Sequence, residues 1–186
     1  MGISAILLAS LLASCTTAVH DGGRKLPDSR RVRLFLPPFL NATEDEHAGQ
    51  ALTELMATAL MERGYSVIQT EPATSPARAE TAGGSAGNWL ETARSAGASH
   101  LLLGIVLEHR YKTDLDGDPV VGISVRVVDT RDGLTRWQGS SAKVCVWFAS
   151  LTTAGQRAAR DLAARMPLEH WAESPPATSA FRGGRP

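Results

Sequence analysis

Residues 101–137 read LLLGIVLEHRYKTDLDGDPVVGISVRVVDTRDGLTRW, and the fold follows from how this stretch divides. Two x-Asp-Gly triplets, Leu115-Asp116-Gly117 and Arg131-Asp132-Gly133, separate three runs rich in aliphatic and β-branched residues. Such a triplet suits a three-residue hairpin loop, a type I turn followed by a left-handed residue, where glycine has no Cβ to clash. That loop length predicts a register. With Asp114 facing Asp118, Tyr111 faces Val121, His109 faces Ile123, Leu107 faces Val125 and Ile105 faces Val127. The odd positions of both strands then share a mostly apolar face, whereas a two-residue loop would split them and lose core burial. The same geometry in the second hairpin sets Thr130 opposite Leu134 and Val127 opposite Trp137. The expectation is a three-stranded antiparallel meander.

Upstream of the meander, Val32-Arg33-Leu34-Phe35-Leu36 reads as a strand ended by Pro37-Pro38. Thr43 and Glu46 have capping-box spacing, with Thr43 as N-cap. Ala48, Ala51, Leu52, Leu55, Met56, Ala59 and Leu60 then recur at helical spacing until Gly64 stops the run. A short strand follows over 65–68, and residues 70–88, rich in Pro, Ala, Ser, Thr and Gly, read as a mobile surface loop. A helix over about 88–96, ended by Gly97, leads into the meander. Downstream, residues 140–146 continue the last strand. Residues 150–166 read as a helix with Leu151, Ala154, Ala158, Leu162 and Met166 on one face, closed by Pro167. The order β-α-β-α-β-β-β-α predicts one α+β domain over residues 32–171, a mixed sheet with helices mainly on one face. Residues 172–186 are poor in bulky side chains and are expected to be a disordered tail.

The totals narrow the function. The chain has 186 residues, 43% of them hydrophobic, enough for one core. Nineteen Lys and Arg balance 19 Asp and Glu, so no bulk charge attracts nucleic acid. Residues 3–13, ISAILLASLLA, are too short to span a bilayer and suit the apolar segment of a secretory signal. They run into Leu12-Ala13-Ser14-Cys15, which resembles a bacterial lipobox, although Met1-Gly2 ahead of them lacks the usual Lys or Arg. Residues 1–14 are therefore expected to be a lipoprotein signal peptide, Cys15 the acylated residue, and residues 15–31 a lipidated tether. Thr16 rather than Asp after the cysteine favours the outer membrane. Two or three acyl chains make such attachment lasting. Cys145 then has no intrachain partner, and it reads as a half-buried strand residue.

Candidate chemistry is sparse. Gly83-Gly84-Ser85-Ala86-Gly87 matches G-x-S-x-G, but no strand leads into the serine as a nucleophile elbow requires. Asp114, Asp116 and Asp118 begin like a calcium loop, yet Val125 stands where the twelfth-position Glu is needed. They read as a solvated hairpin tip. If many copies faced one axis, the same three carboxylates would form a negative patch able to steer a cationic ligand. The five histidines show no metal-ligand spacing, and His109 reads as a satisfied core or interface residue. Trp147-Phe148 after the last strand suit either core packing or, with an acylated N-terminus nearby, a membrane interface.

The run 111–129, YKTDLDGDPVVGISVRVVD, resembles the PelC family, outer-membrane lipoproteins of Pel exopolysaccharide export. The lipobox, the segment Leu36-Pro37-Pro38-Phe39-Leu40-Asn41 and the spacing Asp129…Gly133…Trp137 agree with it. That Asp…Gly…Trp pattern is shared by a wider group of envelope lipoproteins related to curli-secretion and penicillin-binding-protein-activator proteins. The 70–88 segment, Cys145 and the Pro-containing tail depart from the family. The resemblance implies a non-enzymatic homo-oligomer, a dodecameric ring lipid-anchored at the periplasmic face of the outer membrane. It implies a cationic exopolysaccharide of the biofilm matrix as cargo, and as partner a β-barrel export porin with a helical-repeat region. By position, Asp114, Asp116 and Asp118 fall to an acidic polysaccharide-guiding patch and Trp147 to membrane contact. No metal or other cofactor is expected. The alternative is an envelope lipoprotein that activates or scaffolds another periplasmic complex, such as a cell-wall synthase or a protein-secretion channel. A regulator crossing the periplasm needs a long linker, whereas the 16 residues after Cys15 reach at most roughly 55 Å, which favours the ring.

Overall fold

The structure, a computed structural model, describes residues 32–69, 86–112, 117–145 and 149–167. The elements are β1 (Arg33–Leu36), β2 (Leu40–Asn41), α1 (Ala48–Glu62), β3 (Ser66–Gln69), α2 (Ala86–Ser95), β4 (His100–Tyr111), β5 (Pro119–Asp129), β6 (Thr135–Val144) and α3 (Leu151–Arg165). This is the expected order with one two-residue strand added. The strands form one mixed sheet in the order β3-β1-β4-β5-β6, with β2 pairing β4 in parallel beyond the end of β1. β1 pairs in parallel with β3 on one side and β4 on the other, and β4, β5 and β6 form the antiparallel meander.

The chain steps from β1 to β3 in one direction along the sheet, then back past β1 to β4. Two crossovers of the same hand in opposite directions place their helices on opposite faces, which is why α1 and α2 are separated by the sheet. α3 returns to the side of α1. Leu52, Met56 and Leu60 of α1 and Ala154, Ala158 and Leu162 of α3 pack there on Leu102, Val106, Val121, Ile123, Val125 and Val127. Each large aliphatic side chain so buried contributes about 1.5–3 kcal/mol. On the other face Ala93 of α2 joins Phe35, Leu101 and Val128, with Trp89 tilted against the Phe35 ring at 6.2 Å. Two of the three helices among the described residues thus share a face, as the sequence predicts.

Local signals account for most element ends. Gly64 and Gly97 take positive φ, 91° and 69°, where α1 and α2 stop. The Ser150 hydroxyl accepts from the Thr153 N–H at 3.1 Å and caps α3. The cap expected at Thr43 is not formed. α1 begins at Ala48 with His47 as an N-cap that makes no side-chain cap bond. Thr43 instead donates its backbone N–H and its hydroxyl to Asn41 Oδ1, at 3.0 and 2.8 Å, and so belongs to the loop that turns β2 toward the helix. α2 starts at Ala86, so residues 86–88 are helix rather than loop.

The first hairpin differs from the predicted register. Gly117 does adopt the left-handed conformation, with φ 55°. The Lys112 N–H, however, reaches the Asp118 carbonyl at 2.8 Å, which closes a five-residue connection instead of three. Tyr111 therefore faces Pro119 and His109 faces Val121. A bulge at Leu107 then shifts the ladder, so that Val106 faces Ile123, Gly104 faces Val125 and Leu102 faces Val127. The even positions of this part of β4, not the odd ones, lie on the α1–α3 side. Leu107 is exposed and Ile105 turns to the opposite face. Phe39 explains the glycine at 104, since a Cβ there would stand 2.5 Å from the phenyl ring. In the second hairpin Val127 faces Trp137 as expected. The tip closes one residue earlier than predicted: the Asp129 N–H bonds the Leu134 carbonyl, and a bulge after Val127 absorbs the difference.

Candidate functional site

Of the residues singled out in the sequence, Asp118 lies among those described, half-buried at the exit of the β4–β5 connection, with its carbonyl engaged by Lys112. Cys15, Asp114, Asp116 and Trp147 fall outside the described residues, as do the lipobox, most of the 70–88 segment and the 172–186 tail. The Asp129…Gly133…Trp137 spacing is fully described, and each of its members has a structural task. Asp129, 1% exposed, is held by a type of clamp that a tip needs to stay folded against the sheet. Its Oδ1 accepts from the Arg131 backbone N–H at 2.9 Å and from Nε at 3.1 Å, while Oδ2 accepts from Arg131 Nη2 at 2.7 Å and Arg136 Nη2 at 3.2 Å. The Arg131 guanidinium, with that backbone N–H, holds the Asp129 carboxyl far below the usual carboxylate range despite its burial. Arg136 also reaches Asp132, and the Thr130 hydroxyl donates to the carbonyls of Ala98 and Ser99 at 2.8 and 2.9 Å. These contacts rivet the second hairpin tip to the end of α2.

Gly133 supplies the left-handed residue that ends this turn, with φ 74°. Trp137 lies over Gly139, where an added Cβ would meet the indole at 2.6 Å. Asp129 and Gly133 thus shape the β5–β6 tip, while Trp137 packs against the main core below it. Beside the clamp sits His100, buried with its Nδ1 at 3.0 Å from the Ser99 hydroxyl. Burial lowers its pKa below the ordinary histidine value, against the pull of Asp129.

A second tie joins the loop ahead of α1 to the meander. His109 Nδ1 stands 2.8 Å from Asp45 Oδ2, so the loop ahead of α1 is fastened to β4 beyond its bulge. His109 is a satisfied, half-buried residue, as its sequence context predicts. Asp161 of α3 binds β6 through Lys143 at 3.2 Å and Ser141 at 3.0 Å, and Lys143 chiefly lowers its pKa. Cys145 is buried rather than half-buried and lies just past β6, its sulfur 3.5 Å from Arg157 Nη1. Among the described residues no group of three or more His, Cys, Asp or Glu is arranged to hold a metal ion, and no helix is long and apolar enough to cross a membrane.

The feature that sequence reasoning missed is a groove of about 310 Å³ on the face of the sheet away from α1 and α3. Pro38, Leu40 and Trp89 form its walls, and Leu103, Ile105, Ser124, Arg126 and Gln138 line its floor and rim. The available signal was β4 itself. Residues 101–107, LLLGIVL, are apolar on both faces, which implies cover on both sides, and α2 is too short to provide it throughout.

A mixed α+β sheet with two helices behind it, one in front and a riveted hairpin tip defines a PelC-type fold. No family profile and no curated protein matches the chain. Solved structures do match. The PelC dodecamer from Paraburkholderia phytofirmans is 26% identical, with 80% of this chain and 94% of that chain covered and a TM-score of 0.62. A point variant of that dodecamer in another crystal form is also 26% identical, covering 76% and 92%, with a TM-score of 0.59. A lipoprotein from Neisseria meningitidis shares the fold at 22% identity, covering 72% and 99%, with a TM-score of 0.52. The protein is PelC-like.

Proposed function

We propose that this chain is an outer-membrane lipoprotein, anchored through acylated Cys15, whose domain closes into a periplasmic ring. The ring guides a cationic exopolysaccharide toward a β-barrel export porin and performs no catalysis. The likeness to the PelC dodecamer carries this reading, since nearly the whole of that chain is matched at 26% identity. The sequence adds a lipobox at residues 12–15 and three carboxylates, Asp114, Asp116 and Asp118, around one β4–β5 connection. In a ring, every copy brings that connection to the same rim, so the charges sum into a field that concentrates a polycation and orients its entry. Trp147, four residues before α3, is the membrane-facing aromatic in this arrangement. Residues 15–31 serve in this reading as the tether between lipid and domain.

The test is export itself. Asp114→Asn, Asp116→Asn and Asp118→Asn together are expected to lower secreted polymer several-fold in producing cells, at unchanged protein level and melting temperature. Full secretion by this variant would show the connection to be only a turn.

A further inference from the structure

We propose that the groove beside α2 is a saccharide subsite that takes an uncharged hexopyranose unit, a sugar carrying hydroxyl or acylamino groups and no ammonium. The inference rests on the polysaccharide cargo proposed above and adds a second contact to it. The β4–β5 connection meets the charge of the polymer, and the groove meets its uncharged rings.

The sheet register builds the groove with two unlike halves. On the face away from α1 and α3, Leu103 of β4, Arg126 of β5 and Gln138 of β6 stand side by side in one row, and Ile105 pairs with Ser124 in the next. Leu103 and Ile105 continue into Pro38, Leu40 and Trp89, which makes one half apolar. Leu40 is 56% exposed there, and Trp89 is half-buried with its ring tilted against Phe35. Ser124, Arg126 and Gln138 make the other half.

The polar half is unsatisfied within the protein. Elsewhere on β6 the side chains of Arg136, Ser141 and Lys143 are all engaged by carboxylates. Those of Ser124, Arg126 and Gln138 make no hydrogen bond or ion pair among the described residues. Three side chains on one concave surface thus keep their bonding capacity for something outside it. The guanidinium offers donors only, whereas the hydroxyl and the primary amide both donate and accept.

A ligand that fits must bring donors and acceptors to β5 and β6 and an apolar surface to Trp89 and Leu40. A hexopyranose has both. Its ring C–H groups carry partial positive charge and pack on an aromatic face or an aliphatic side chain, while hydroxyl or acylamino groups surround its rim. Apolar lining with a few convergent polar groups is the usual make-up of a small-ligand site, and the groove volume of about 310 Å³ is at the lower end of such sites, which suits one short portion of a polymer. Charge then narrows the class. No carboxylate lines the groove among the described residues, and Arg126 is exposed within it, so an ammonium sugar would meet repulsion and no counter-ion.

Titration calorimetry on the full chain purified in detergent tests this with two probes. One is the uncharged trisaccharide of N-acetylglucosamine, and the other is its deacetylated counterpart, which carries an ammonium on every ring. The acetylated trisaccharide is expected to bind. Trp89→Ala should weaken it about tenfold and Gln138→Ala about fivefold. Neither change should alter whatever binding the deacetylated probe shows. Gln138 is exposed on an edge strand, so its variant keeps the wild-type melting temperature and carries the test even where Trp89→Ala unfolds the domain. Absence of binding by the acetylated probe, binding undiminished in Gln138→Ala, or a preference of the groove for the deacetylated probe overturns the inference. A second copy of the chain seated in the groove would exclude the sugar and give the first of these results. Each of them rejects the saccharide groove alone, because the export reading is judged separately by secretion from the Asp114, Asp116 and Asp118 variant.

Discussion

Arg136 reaches back across the β5–β6 turn and places Nη2 3.2 Å from Oδ2 of Asp129, a carboxylate that is 1% exposed. The buried charge is tolerated because Arg131 holds its other oxygen and its turn, so the carboxylate is fully bonded where water does not reach. Asp129→Ala removes the acceptor of both guanidinium groups and of one backbone N–H. Hydrogen bonds to a charged group contribute about 1.5–3 kcal/mol each, and the arginines are partly exposed and recover water, so we expect a net loss of about 3 kcal/mol. Asp129→Asn keeps the shape and one acceptor and should lose less. Equilibrium unfolding of the two variants measures this, and an Asp129→Ala protein as stable as wild type contradicts the clamp.

Acid should destabilise the domain in two stages of the same sign. His100 has a lowered folded pKa, so below the ordinary histidine value of 6.5 the unfolded chain binds a proton that the folded one refuses. Asp129 has a lowered folded pKa as well, so its stabilisation is complete above the unfolded value near 3.8 and is lost as pH falls further. Melting temperature is therefore expected to fall between pH 7 and 5 and to fall again below pH 4. His100→Gln should flatten the first decline and leave the second. A first decline of full size in His100→Gln assigns it to another group.

Cys15→Ser should release the protein from the membrane fraction to the periplasm without changing the fold. A Cys15→Ser protein that still sediments with outer membranes rejects the lipid anchor.

How much the sequence disclosed depended on whether one face of each strand was polar. In β5, Gly122, Ser124 and Arg126 alternate with Ile123, Val125 and Val127, so its core face was legible and proved right. Residues 101–107 of β4 are apolar on both faces, and no alternation marks where the bulge at Leu107 exchanges them. The glycine at 117 announced a left-handed residue but not the number of residues closing with it. Turn chemistry fixes a conformation at one position, while the ladder fixes the loop length. Thr43 carried the residue type of a helix cap, yet Asn41 and Asp45 compete for its hydrogen bonds within the loop. The groove was illegible for the same reason as the bulge, because it comes into being only once Leu103 and Ile105 face away from α1 and α3. The Asp129…Gly133…Trp137 spacing was visible, and only its geometry shows that Asp129 and Gly133 serve the tip while Trp137 packs on the core.

The central claim is that this PelC-like chain works as a closed ring. Single-particle mass measurement on the acylated full chain in detergent tests it most directly. The account predicts one dominant species of about twelve chains, as in the similar dodecamer. A particle of single-chain mass across the whole accessible concentration range would contradict it.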